Sequence, residues 1–467
     1  MQQPNLKRIT GILSLLLFTN LLFAQPVPGL KVSDNGRYLM YDDDMPFFYM
    51  GDTAWELFHR LDRGEADQYL ENRAEKGFTV IQAVVLAQLG GLNVPNAYGA
   101  TPLEDNDPAR PNEAYFEHVD YIVNKAAVLD MFIGMLPSWG DKWKADASDE
   151  SGIFTVENAR AYGEFLGERY RDQPIIWILG GDQNIITQEE ADIIEAMAQG
   201  LREGDGGAHL ITYHPRGPGL SSDFFHEAEW LDFNMFQSSH GARDHDNGLF
   251  AAHDYQLKPV KPTLDGEPRY ENILVGFYNQ KDPKNLRFDD YDARQAAYFS
   301  LLEGACGHTY GHNSIWQMWE PGRDPVIGAN VPWYDAIDHA GSFQMKHVRN
   351  LFASRPFTLL IPDTALVLDG PERGGAKIKA MIASDASFAL VYSPRGAPFT
   401  VDLSQFDSHA VTASWYDPRY GITDIIHTGD NTGMQTFTPP SSGRGQDWIL
   451  LLDDANKNFP VPGQEDE

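Results

Sequence analysis

Between about residue 46 and Arg355 the chain alternates between two patterns. Short apolar runs recur at PFFYMGD (46–52), FTVIQAVVL (78–86), MFIGMLPSW (131–139), PIIWILGGD (174–182), HLITYHP (209–215), DFNMFQSSH (232–240), KPTLDGEP (261–268) and GHTYGHNSIW (307–316). Between them lie stretches such as EADQYLENRAEKG, NEAYFEHVDYIVNKAAVLD, VENARAYGEFLGERYRD and DARQAAYFSLLEGA, with apolar residues three and four apart. Runs bounded by turn residues read as buried strands, and the longer period reads as helix. Eight strand–helix units in succession predict a (β/α)8 TIM barrel. Ahead of them, LKVSDNGRYLMY carries a hairpin signal at Asp34-Asn35-Gly36. After Arg355 the helical period gives way to closely spaced strand candidates, TLLIP, TALVL, KIKAMIAS, FALVYSP, FTVDL, AVTASWYDP and DWILLL, separated by Asp- and Gly-rich turns. These predict a small antiparallel β-sandwich over 356–455 and an acidic frayed tail over 456–467.

Lys7 and Arg8 precede an uncharged, mostly apolar run from Ile9 to Ala24. A basic start, a short apolar stretch and a small residue at its end predict a signal peptide over 1–24 that directs the chain to the periplasm or the cell exterior. The barrel with its hairpin then occupies 25–355. Charge adds an exclusion: 67 acidic against 36 Lys plus Arg residues, a formal net charge of -31, disfavour nucleic acid or an anionic membrane as partner. The single cysteine, Cys306, allows no internal disulfide and reads as a buried inert thiol.

Active-site groups of such a barrel sit at the carboxyl ends of its strands. The polar and aromatic residues closing the runs are Asp52, Trp55, Gln82, Trp139, Asp182, His214, Gln237, His240, Glu267, His312 and Trp316. Asp182 ends the fourth run and Glu267 the seventh, on opposite flanks of the ring. Glycoside hydrolysis needs such a pair, one carboxyl to protonate the departing oxygen and one to attack the anomeric carbon or activate water. The apolar strand before Asp182 is expected to raise its pKa. Gly266 is expected to clear space for a sugar, and Arg269 and Tyr270 to hold Glu267 ionised. Glu271 is the rival nucleophile, ranked lower because it falls past the strand end. An acid at a strand end is often only a helix cap or a loop ion pair; two at these positions reverse the odds.

GDTAW, EKGFTVIQAVVL, PSWGDKW, WILGGDQN, WLDFNMFQSSH, LDGEPRYE and GACGHTYGHNSIWQMW together resemble glycoside hydrolase family 140, the apiosidases, over about Gly51 to Trp319. The resemblance implies a retaining barrel glycosidase with a C-terminal β-domain of a collagen-binding-like type, Asp182 as acid/base and Glu267 as nucleophile. The family often carries Arg after the acid; Gln183 stands there in this chain. The implied substrate is terminal apiose β-1,2-linked to galacturonic acid in the pectic polysaccharide rhamnogalacturonan II. Lys142, Lys144, Arg216 and Arg269 are then candidates to hold the anionic sugar, with at least one expected to face the pocket. Alternatives are a clan member acting on another pentofuranoside or pectic side chain, and a non-catalytic carbohydrate-binding surface protein.

His214, His240, His245, His308 and His312 lack metal-ligand spacing, so they are expected to hydrogen-bond to sugar hydroxyls or to the catalytic acids, and neither metal nor other cofactor is expected. The cluster DHDNG (244–248) echoes the start of a calcium loop but reads as a capped turn. Trp55, Trp139, Trp143 and Trp316 are candidates for an aromatic wall, whereas Trp415 and Trp448 read as core of the C-terminal domain.

Overall fold

The computed structural model describes residues 28–144, 152–276, 286–431 and 433–463. The expected signal peptide lies outside the described residues, as do residues 464–467 of the tail. The eight apolar runs form the eight parallel strands of a barrel: β1 (Tyr49–Thr53), β2 (Val80–Leu86), β3 (Phe132–Ser138), β4 (Ile175–Gly180), β5 (Ile211–His214), β6 (Asn234–Gln237), β7 (Thr263–Asp265) and β8 (Gly307–Tyr310). They pair in the order β5-β4-β3-β2-β1-β8-β7-β6, with Gly219–Leu220 added antiparallel to β6. The seam between β5 and β6 is closed by a side chain as well as backbone. Asp232 N–H donates to the Ile211 carbonyl (2.9 Å), Ile211 N–H donates to the Asp232 carboxylate (2.7 Å), and Thr212 Oγ1 donates to the Phe233 carbonyl (2.7 Å).

The main helices of the outer layer are α1 (Arg63–Glu75), α2 (Glu113–Val128), α3 (Val156–Tyr170), α4 (Gln188–Asp205), α5 (Ser222–Phe225), α6 (Gly248–Tyr255), α7 (Asp290–Leu301) and α8 (Ala340–Ala353). Four of them begin with reciprocal caps, Asp62 with Glu65, Thr155 with Asn158, Thr187 with Glu190 and Asp289 with Asp292. Each satisfies two otherwise orphaned N–H groups and fixes where its helix starts. The predicted hairpin is present, Leu30–Val32 pairing with Leu39–Tyr41 around Gly36 at φ +70°.

The C-terminal domain is a six-stranded antiparallel sheet, in spatial order Leu360–Pro362, Lys379–Ala383, Phe388–Ser393, Trp448–Asp454, Ala410–Asp417 and Ile422–Asp430, with a second sheet of Phe399–Asp402 and Met434–Phe437. Two-sided burial along Trp448–Asp454 explains why WILLL is apolar throughout. Trp448, Leu450 and Leu452 join Phe399, Val401 and Trp415 in the domain's own core, while Ile449 and Leu451 pack with Tyr298, Phe299 and Leu302 of the barrel. TALVL departs from expectation, contributing only a bridge between Val367 and Val401. Ile422–Asp430 was not anticipated, because it is a largely exposed edge strand with no apolar alternation. The described part of the tail is docked: Phe459 packs edge-on against Phe388 at 5.4 Å, and the Pro460 carbonyl accepts from Arg355 at 3.2 Å.

Candidate active site

The end of β4 answers why WILGGD stops at two glycines and an acid. Gly180, Gly181 and Asp182 have φ of +94°, +91° and +58°, so the chain turns sharply in the left-handed region immediately after the strand. A Cβ on Gly180 would meet the His214 carbonyl at 2.4 Å, and one on Gly181 would meet Gly140 N and Trp139 Cα at 2.9 Å. Only glycine fits between the ends of β3 and β5. The turn is pinned by Trp143, whose Nε1 donates to the Gly180 carbonyl (2.6 Å), and by Gly140 N–H on the Gly181 carbonyl (2.9 Å). Asp182 is thereby held in a conformation uncommon for a residue with a side chain, a form of strain that surrounding structure must over-determine.

Asp182 and Glu267 line one cavity of about 210 Å³ at the carboxyl end of the barrel. Trp55, Trp139, Arg216, Gln237, His240, Tyr270 and Trp316 line it as well. Trp55 and Trp139 pack with ring centroids 5.3 Å apart, and Trp316 is fixed by its Nε1 donating to Asn313 (3.2 Å). His214 sits behind this wall, edge-on to Trp55 at 5.5 Å.

Two histidines govern Glu267. His240 Nε2 lies 3.0 Å from Oε1 and His214 Nε2 lies 3.2 Å from Oε2. The other nitrogen of each ring faces a backbone donor: Asp182 N–H points at His214 Nδ1 (3.2 Å) and Tyr270 N–H at His240 Nδ1 (3.4 Å). A backbone N–H can only donate, so in the neutral rings the proton resides on Nε2, aimed at the carboxylate. Burial would raise the Glu267 pKa, but the Nε2–H groups of His214 and His240 outweigh it and hold the carboxyl well below its usual range. Asp182 goes the other way. Burial first, and the negative charge of Glu267 next, push it up to about 7 against the opposing pull of His214 and Arg216. Tyr270, raised by its burial and then by Glu267, stays a protonated donor.

Several residues expected to bind substrate lie elsewhere. Strand alternation turns Asp52 outward to α1, where Tyr69 Oη and Arg73 Nε each donate to Oδ2 at 2.6 Å. Gln82 is enclosed in the barrel, bonded through Nε2 to Thr309 Oγ1 (2.7 Å) and the Gly266 carbonyl (3.3 Å). Lys142 is buried against Asp141 (2.5 Å), and Lys144 donates to the Asn184 carbonyl (2.8 Å). Arg269 points beneath the pocket to Arg243 O (2.7 Å), Gln295 (3.1 Å) and Asn247 (3.1 Å), so it does not hold Glu267 ionised. His312 is buried against His339, Nε2 to Nδ1 at 3.0 Å. Arg216 is the expected cation that does face the cavity. The space at Gly266 is filled by the Met235 thioether rather than left for a sugar, a Cβ there meeting Sδ at 2.4 Å. Glu271 is away from the cavity, accepting from Tyr310 Oη (2.5 Å) and Gly341 N (3.0 Å). Trp143 supports the turn instead of the wall, while Trp415 and Trp448 are core residues. Cys306 is 1% exposed, and burial pushes its thiol up to about 12.

Gln88, Ser239, Ile273, Val326 and Ile327 also line the cavity. They come from the loops beyond the strands, where no periodicity marks them; Gln88, two residues past the end of β2, was the nearest to a readable position.

A family model described as "Apiosidase-like, catalytic domain" matches residues 33–359. The chain belongs to the apiosidase-like family. The apiosidase-like barrel is followed by a match over 361–453 to "Putative collagen-binding domain of a collagenase". A solved structure described as a glycoside hydrolase is 36% identical, with 93% of this chain and 98% of that chain covered and a TM-score of 0.84. A glycoside hydrolase family 5 structure from Bacteroides vulgatus ATCC 8482 is 34% identical, with coverages of 92% and 94% and a TM-score of 0.84. A search of curated proteins returned no match.

Proposed function

We propose that this protein is a retaining exo-glycosidase of glycoside hydrolase family 140, releasing terminal apiose β-1,2-linked to galacturonic acid in rhamnogalacturonan II. The observation that carries the reading is one cavity lined by two carboxyl groups with opposite proton affinities, Asp182 raised and Glu267 lowered. Environments that drive two acids apart in this way assign their roles, the protonated one as acid and the ionised one as nucleophile. Asp182 protonates the glycosidic oxygen as the bond to the anomeric carbon breaks, and Glu267 attacks that carbon to form a glycosyl-enzyme. Asp182, now ionised, takes a proton from water, which attacks the same carbon and frees Glu267. The His240 Nε2–H on Oε1, with His214 Nε2 3.2 Å from Oε2, orients Glu267 for attack, and the Trp55, Trp139 and Trp316 faces offer the apolar surface on which a furanose packs. Arg216 at the cavity supplies positive charge for a uronate on the leaving side. Lys7 and Arg8 ahead of the apolar run Ile9 to Ala24 support a secreted enzyme from which the signal peptide 1–24 is removed.

The test is turnover of rhamnogalacturonan II side chains. Wild type is expected to release apiose, and Glu267→Gln to be slower by about a thousandfold or more. Release by Glu267→Gln at the wild-type rate would end the assignment.

A further inference from the structure

The loop over 238–248, between β6 and α6, carries His240, one of the two groups that hold Glu267. It has little regular structure of its own: Ser239 sits at φ +74°, and residues 241, 242 and 244 are exposed. The loop is nonetheless held from two sides. On the barrel side, Asn247 donates to Asp265 (3.3 Å) and the Ala296 carbonyl (2.9 Å) and accepts from Arg269 (3.1 Å), and Arg269 also reaches the Arg243 carbonyl (2.7 Å). The other side belongs to the C-terminal domain. Lys379 Nζ lies 2.9 Å from Asp246 Oδ1 and also pairs with Glu303. Gly375 N–H donates to the Asp244 carbonyl (2.8 Å), and Arg395 Nη2 donates to the Asp244 carboxylate (2.7 Å). Lys379 and Asp246 are 3% and 9% exposed, so this contact is shielded, whereas the Arg395 pair is at the surface and contributes little.

We propose that the C-terminal domain braces the active site: Lys379 on Asp246 and Gly375 on Asp244 fix the 238–248 loop and so set His240 Nε2 against Glu267. Lys379 is a positioning residue that acts through the loop, and the DHDNG segment is the part of the barrel it grips. The proposal rests on the reading of Glu267 as nucleophile. Its physical basis is that the barrel holds the loop at its two ends, through Ser239 N–H on the Glu267 carbonyl (3.3 Å) and Gly276 N–H on the His240 carbonyl (2.8 Å) at one and Arg243 and Asn247 at the other, whereas the C-terminal domain holds Asp244 and Asp246 between them. Displacing a catalytic group by about 1 Å is enough to cost about a hundredfold in rate.

The test uses full-length point variants, with amide hydrogen exchange of residues 238–248 and the pH dependence of kcat/KM on an aryl β-apioside as readouts. Lys379→Met is expected to raise exchange across the loop, lower kcat/KM by about ten- to a hundredfold, and move the acid limb of the profile upward as Glu267 loses its donor. Lys379→Arg should restore most of both. Because Lys379→Met leaves the buried Asp246 and Glu303 with only Lys377, 3.7 Å and 3.3 Å away, and can fail to fold, the surface pair Asp244→Ala with Arg395→Ala provides a second variant, expected to raise exchange in the same loop by a smaller amount. Wild-type exchange and an unmoved acid limb in folded Lys379→Met would overturn the brace. Raised loop exchange together with a wild-type enzyme inert on every apioside would keep the brace and sink the substrate reading instead.

Discussion

Each of the two histidines on Glu267 gives one nitrogen to a backbone N–H, and one of those N–H groups belongs to Asp182. The proposed acid is thus tied through His214 to the proposed nucleophile. The raised Asp182 fixes the sign of the pH dependence. On the proposed mechanism its protonated form is the working acid, so kcat/KM should hold through the weakly acidic range and fall as pH rises through about 7. Asp182→Asn should abolish that basic limb and lose far more rate on poor leaving groups than on activated aryl glycosides; a limb that survives the substitution would place the titrating acid elsewhere. These two carboxyl groups were legible because each closes an apolar run. Asp52 also closes one, yet it faces α1, since a strand end does not say on which side of the sheet its last residue points. Arg269 was misassigned as a partner of Glu267 for a related reason, since proximity in sequence favoured it, whereas the groups that touch Glu267 are two of the histidines expected to bond to sugar hydroxyls or the catalytic acids, arriving from β5 and the loop after β6.

At the scale of elements, the strand-to-loop transition after β4 does most to place the acid. Gly181 has φ +91° and lies against Gly140 N and Trp139 Cα. Gly181→Ala should cost about 1–3 kcal/mol, read as a lowered melting temperature, and should depress activity further by moving Asp182. An unchanged melting temperature with full activity would show that the turn tolerates a side chain. Strands such as β2 (VIQAVVL) and β4 (IIWILG) could be read because a parallel strand covered on both faces is largely apolar along its length, whereas β8 (GHTY) is buried yet mostly polar. In the C-terminal domain, Trp448–Asp454 was equally readable, while Ile422–Asp430 was hidden by its exposure: an edge strand in water needs no apolar pattern.

Across the whole molecule, barrel and C-terminal domain share more than a surface. Arg294 of α7 meets Asp447 in a two-pronged pair, Nε to Oδ2 at 2.9 Å and Nη2 to Oδ1 at 2.6 Å, with Tyr392 Oη also on Oδ2 at 3.0 Å. Arginine and aspartate are 1% and 0% exposed. Removing one partner leaves a buried charge, so Arg294→Met should destabilise the protein by about 3–5 kcal/mol in denaturant titrations, with barrel and C-terminal domain still unfolding together; a loss below about 1 kcal/mol, or two separated transitions, would show that the domains are energetically independent. The central claim, that Glu267 attacks the sugar while Asp182 manages the proton, is tested most directly by mass spectrometry of Asp182→Ala mixed with an activated aryl β-apioside. The account predicts that a glycosyl adduct accumulates, because departure of a good leaving group needs no acid while hydrolysis lacks its base, and that the adduct maps to the peptide containing Glu267. An adduct on another residue, or turnover with inversion and no covalent species, would contradict it.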